Sequence, residues 1–187
     1  MQSPYSFIVR PQKGRRYDNI KKYGEKEFIT STSEEDHKSS NRFATVVATP
    51  INYIGPIKEG DTLLVHHNVF KFYNDMYGNR KSGKSFFKDD LFFVDVDQFY
   101  MYKNIHGWVG YDKYCFIKPL EVKDSYIKKN CKYEPLTGTV KYINQQLLDK
   151  GVKVGDVVLY QPESEYEFMV DNEMLYRMFT NNITVIL

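Results

Sequence analysis

The sequence is short of cysteine, of tryptophan and of uninterrupted apolar stretches. Only Cys115 and Cys131 are present among 187 residues, which excludes a disulfide-stapled scaffold and fits a reducing compartment. Cys115 lies in an apolar, strand-like segment and reads as an inert core thiol; a Cys115–Cys131 disulfide is not expected. No apolar run approaches the roughly 20 residues of a membrane-spanning helix. Met1-Gln2-Ser3-Pro4 lacks the charged and apolar regions of a signal peptide. The expectation is a soluble, cytoplasmic protein without membrane contact. An excess of one charge sign is missing too: 26 Lys+Arg stand against 24 Asp+Glu, a net +2. That balance makes no electrostatic case for a dedicated nucleic-acid binder, and Lys13-Gly14-Arg15-Arg16 reads as a solvated loop.

The side-chain sets of the common enzyme chemistries are equally scarce. The histidines are His37, His66, His67 and His106. Adjacent histidines on a strand point to opposite faces, so His66 and His67 are not expected to share a metal. Neither cysteine stands at short zinc spacing from another Cys or His. Gly78-Asn79-Arg80-Lys81-Ser82-Gly83-Lys84-Ser85 looks like a phosphate loop, but Phe86-Phe87 leads into another strand where a phosphate loop needs a long helix. There is no nucleophile motif. The reading is of a non-enzymatic protein with no catalytic residues, no metal site and no cofactor.

Aromatics are plentiful, with 16 Tyr and 13 Phe, and such side chains suit half-buried pleated surfaces. The decisive feature is an internal repeat. Ile57-Lys58-Glu59-Gly60-Asp61-Thr62-Leu63-Leu64-Val65 matches Val152-Lys153-Val154-Gly155-Asp156-Val157-Val158-Leu159-Tyr160 without a gap. Upstream, Tyr5-Ser6-Phe7-Ile8-Val9-Arg10-Pro11 resembles Tyr114-Cys115-Phe116-Ile117-Lys118-Pro119, and Ala44-Thr45-Val46-Val47 corresponds to Gly138-Thr139-Val140-Lys141. Downstream, Phe87-Lys88-Asp89-Asp90-Leu91-Phe92-Phe93 corresponds to Met169-Val170-Asp171-Asn172-Glu173-Met174-Leu175. Each half closes on an apolar strand, Phe99-Tyr100-Met101-Tyr102 and Ile183-Thr184-Val185-Ile186-Leu187. The repeats are read as 1–103 and 111–187, joined near 104–110.

Period-two alternation of Tyr5, Phe7 and Val9 with Ser6, Ile8 and Arg10 predicts a strand with one set on a buried sheet face and the other toward solvent or a second layer. Gly60-Asp61 and Gly155-Asp156 are turn dipeptides entering strands. The only helix expected is short, over 144–150. Short strands between turn signals predict an all-β chain of two tandem small barrels. Two polar stretches interrupt the pattern in the first repeat. Residues 13–42 are a long loop, and 74–84 read as an extended hairpin tip or flexible insertion.

Gly138-Thr139-Val140, Val152-Lys153-Val154-Gly155-Asp156-Val157-Val158-Leu159-Tyr160, Asp171-Asn172-Glu173-Met174-Leu175 and the strand from Ile183 to Leu187 resemble, in order and spacing, the strands of the GroES co-chaperonin family. Taken as a tandem, the resemblance covers nearly the whole chain and points to a divergent, phage-like member. It implies two GroES-like β-barrels, a homo-oligomeric ring, and docking as a lid on a GroEL-type chaperonin in the host cytoplasm. In the family a mobile loop between the first two main strands carries a short apolar segment. The matching interval is 13–42, where Phe28, Ile29 and Thr30 take the place of that segment. Two alternatives stay open for Phe28-Ile29: a partner's groove, or packing back onto its own barrel. At the level of function, the alternatives are a virion or assembly structural protein that reuses the fold, and an oligonucleotide-binding barrel.

Overall fold

The computed structural model describes residues 1–18, 20–29, 39–122 and 132–187. The chain is all-β in character and divides into two compact units, Met1–His106 and Gly107–Leu187. The first unit contains β1 (Phe7–Pro11), β2 (Ile20–Tyr23), β3 (Lys26–Ile29), β4 (Phe43–Ala48), β5 (Thr62–Val65), β6 (Phe72–Asn74), β7 (Arg80–Ser82), β8 (Phe86–Lys88), β9 (Leu91–Val94) and β10 (Phe99–Asn104). The second contains β11 (Gly107–Gly110), β12 (Tyr114–Glu121), β13 (Tyr133–Tyr142), the helix α1 (Gln145–Asp149), β14 (Val157–Tyr160), β15 (Tyr166–Val170), β16 (Glu173–Phe179) and β17 (Ile183–Ile186).

The main sheet of the first unit runs β10-β5-β4-β1-β9-β8, and that of the second runs β17-β14-β13-β12-β16-β15. Strand for strand the order is the same, and the pairing is antiparallel throughout. The registers agree as well. Val9 faces Val46 and Pro11 faces Ala44, as Ile117 faces Val140 and Pro119 faces Gly138. Each pair of strands carries one extra residue at the same place, Val47 in the first unit and Lys141 in the second. The last strands repeat this: Tyr100 and Thr184 are the extra residues opposite Val65-Leu64 and Tyr160-Leu159.

The shared turn explains why the two halves fold alike. Gly60 and Gly155 adopt φ of +90° and +98°, a region open to glycine but strained for other residues. Their amides donate to Val46 O and Val140 O, each at 2.9 Å. The carboxylates of Asp61 and Asp156 then accept the amides of Lys58 and Lys153, each at 2.8 Å. Ile57 and Val152, one residue before each lysine, are buried. Lys-x-Gly-Asp therefore ties the turn to the sheet while its apolar neighbour plugs the core.

Several expectations need correction. Among the described residues neither sheet returns to its starting strand, so the expected barrel closure is absent. In the first unit the three-residue β8 is an outer strand and is paired irregularly to β9 around Phe87. In the second unit β15 and β17 are the two outer strands. In β1 the second-layer alternative holds: Phe7, Ile8 and Val9 are all buried, while Tyr5 is exposed. Ile8 packs with Ala48 and Leu91 in a cluster of its own, flanked by Val47 and Phe93, so both faces of β1 are covered. Finally, Phe92 faces Val9 and Tyr176 faces Ile117. The second β15–β16 hairpin is thus longer than the gapless alignment of Asp89-Asp90 with Asp171-Asn172 allows.

The helix lies at its expected place. Asn144 Oδ1 accepts the amide of Leu147 at 3.0 Å as an N-cap. The same buried side chain donates to Asp112 O at 2.6 Å and Thr180 Oγ1 at 2.7 Å. Leu147 then enters the core with Cys115, Ile117, Val140, Val158 and Met178.

Candidate functional site

The connection from β1 to β4 is built from the base outward. Asn41, buried, donates through Nδ2 to Gln12 O at 2.9 Å and Arg15 O at 2.7 Å, while its Oδ1 accepts Phe43 N at 2.9 Å. Backbone bonds from Asn41 to Arg16 O and from Asp18 to Ser39 O, at 2.9 and 2.8 Å, zip the two strands of the base together. One side chain thereby fixes the entry and exit of the whole segment.

Beyond this clasp β2 and β3 form a two-stranded hairpin, with Ile20 opposite Ile29, Lys21 opposite Phe28 and Tyr23 opposite Lys26. Gly24, at φ +62°, begins its two-residue turn. The interval expected to be a long loop thus contains a regular hairpin over Ile20–Tyr23 and Lys26–Ile29. Phe28 is 50% exposed and Ile29 66% exposed. Thr30, the third residue of the expected segment, lies outside the described residues, as does His37. The matching connection in the second unit, between β12 and β13, is described only at its base, where Val122 N donates to Lys132 O at 3.1 Å.

The second insertion of the first unit, expected over 74–84, is the β6–β7 hairpin. Phe72 faces Ser82, Tyr73 faces Lys81 and Asn74 faces Arg80. Its turn is organised by Asp75, whose Oδ1 accepts the amides of Tyr77 at 2.9 Å and Asn79 at 2.8 Å. These bonds, led by that from Asn79, hold the carboxyl below its usual range. The Gly83-Lys84-Ser85 segment leads into a strand, as expected, and no helix follows it.

The hairpin is joined to the clasp by contacts that sequence reading missed. The Arg16 guanidinium lies 4.0 Å over the Phe72 ring centre and 4.7 Å over that of Phe92, and donates to Ser82 Oγ at 2.9 Å. Tyr17 stacks on Phe72 and accepts its backbone amide at 3.0 Å. Arg80 approaches the same Phe72 ring at 3.8 Å. Burial, and then the nearby Arg80 charge, push Arg16 below its usual value. Lys13-Gly14-Arg15-Arg16 is thus more than a solvated loop, because Arg16 is built into an aromatic cluster.

The remaining candidate chemistry is sparse. The His66 and His67 rings lie 4.1 Å apart. The expectation of opposite faces fails because both residues follow the end of β5 in a turn rather than continuing the strand. His66 Nδ1 accepts the amide of Asn68 at 3.2 Å. Among the described residues no three His, Cys, Asp or Glu side chains gather as metal ligands. Cys115 is buried, with its thiol pushed up to about 12 by desolvation, so a reactive thiolate is disfavoured there. Cys131 lies outside the described residues. No described helix is long and apolar enough to cross a membrane. No protein-family model matches the chain, and no curated protein matches it either.

Proposed function

We propose that this protein is a divergent, phage-like co-chaperonin of the GroES family. It forms a homo-oligomeric ring that caps a GroEL-type chaperonin in the host cytoplasm and performs no chemistry of its own. The observation that carries the reading is the exposed Phe28-Ile29 pair on a hairpin between β1 and β4. That interval is where the resemblance puts the chaperonin-binding segment. The repeated strand order and turn are consistent with two GroES-like domains in tandem.

The physics suits a lid. Burying the two side chains in a partner groove contributes roughly 1.5–3 kcal/mol each, less what ordering the segment costs. A ring repeats the contact once per chain, so individually weak contacts add up to firm capping through avidity. Clasping the hairpin base with Asn41 reduces the freedom lost on docking.

The test is ATP-dependent co-sedimentation with GroEL and with the chaperonin of the natural host. Wild-type protein should sediment with the chaperonin, and F28S/I29S should stay in the supernatant with an unchanged melting temperature. Absence of wild-type binding to either chaperonin would favour the alternative, a virion or assembly structural protein that reuses the fold.

A further inference from the structure

We infer that the β6–β7 hairpin, together with the basic chain segment packed against it, is a binding surface for single-stranded nucleic acid. The near-neutral total charge conceals a local pole. Residues 12–18 carry Lys13, Arg15, Arg16 and Asp18, a sum of +2; residues 71–84 carry Lys71, Arg80, Lys81, Lys84 and Asp75, a sum of +3. Together these segments hold +5 in a chain of net +2, leaving −3 for all other residues. They are remote in sequence and are brought together by the Arg16–Ser82 hydrogen bond and the Tyr17–Phe72 stack.

The arrangement of aromatic groups selects the kind of anion. On one face of the hairpin Phe72 holds the guanidinium groups of Arg16 and Arg80 at 4.0 and 3.8 Å from its ring centre. Tyr73 lies opposite Lys81 in the ladder, so a ring and an ammonium share the other face. Tyr73 is 55% exposed and, at the tip, Tyr77 is 82% exposed. Tyrosines interleaved with cations offer stacking platforms for bases beside charges for phosphates. An acidic peptide would use the charges but gain nothing particular from two exposed rings. The single acidic group of the hairpin, Asp75, is occupied by the turn amides. The second unit provides an internal contrast: its corresponding connection, Gln161-Pro162-Glu163-Ser164-Glu165, bears two acids and no base.

The surface does not depend on the chaperonin reading. Fluorescence anisotropy of labelled oligo-dT and oligo-U of about 12 nucleotides, a length within the reach of one such platform, tests it on the full chain. Binding should be saturable at about 50 mM salt and weaken as salt rises. R80E/K81E should lose at least about tenfold in affinity and reduce the salt slope by about 2. Y73A/Y77A should lose about tenfold with the salt slope kept, and F28S/I29S should bind as wild type does. Ultraviolet crosslinking of wild-type protein should label the peptide containing Tyr73 and Tyr77, an observation independent of how the variants fold. No saturable binding would overturn the inference. So would crosslinks confined elsewhere, or unchanged Y73A/Y77A affinity with equal competition by poly-glutamate, which marks a general polyanion contact.

Discussion

The carboxylate of Asp156 accepts the amide of Lys153 at 2.8 Å, and Gly155 between them stands at φ +98°. A Cβ at Gly155 meets no atom within 4 Å, and the same holds at Gly60. The requirement for glycine is therefore conformational and not steric. G155A and G60A should each destabilise by about 1 kcal/mol or more, to similar extents because the two turns share their geometry. Chemical denaturation of each variant measures this; a neutral result at either position would show that the turn relaxes freely.

Asn144 joins three elements through one side chain. N144A removes the cap of α1 and leaves Asp112 O and Thr180 Oγ1 without its donor. The expected loss is about 2–3 kcal/mol. N144D should be no better, since a carboxylate keeps the cap but cannot donate. Thermal unfolding of the two variants checks the ranking.

Glu173 lies between two lysines, with Lys118 Nζ at 2.6 Å and Lys141 Nζ at 2.9 Å. Bonds from Lys118 and then Lys141 hold its carboxyl below the usual range. A depressed carboxylate stabilises the fold above its unfolded pKa and loses that contribution as pH falls through its folded value. Glu173 should therefore help at neutral pH and cease to help in acid. The side chain is partly exposed, so the effect is at most about 1 kcal/mol. E173Q should be less stable than wild type near pH 7, with the difference vanishing at acidic pH and shrinking in high salt; denaturation at several pH values reads this directly.

The β2–β3 hairpin has only two strands, and Lys26–Ile29 is exposed along its length. Isolated ribbons of this kind are marginal in water. Its amides should exchange with solvent well before those of β1 and β4 in the isolated protein. Binding to a chaperonin should slow the exchange at Phe28 and Ile29 first. Hydrogen exchange followed by mass spectrometry measures both states, and protection equal to that of β4 in the free protein would show a hairpin docked on its own unit.

Local chemistry was legible in the sequence and distant packing was not. The Gly-Asp turns could be read because glycine's φ and the aspartate hydrogen bond are decided within four residues. The short helix near 144–150 could be read for the same reason, but its cap at Asn144 was not. Alternation at β1 left solvent and a second layer open for one face, and the apolar cluster around Ile8 that decides between them is built from distant residues. The slip between the two hairpins arose because turn residues fix where a chain reverses but not how far the ladder continues. Arg16 was read as solvated because Phe72 and Ser82, more than fifty residues away, give no local signal. The exposure of Phe28 and Ile29 is set by how the hairpin sits beyond its clasp, which no local pattern in the sequence decides.

Equivalent strand ends with unequal connections have a practical consequence for engineering. Strands β5 and β8 are joined by residues 66–85, which include a whole hairpin, whereas β14 and β15 are joined by residues 161–165 alone. The same sheet position therefore tolerates a short link or a folded insert, and the entropy of closing a longer connection rises only slowly with length. The β14–β15 link is a natural graft point. Residues 66–85 could be transplanted there, or a foreign peptide displayed, with the six-strand order of the host sheet left as it is.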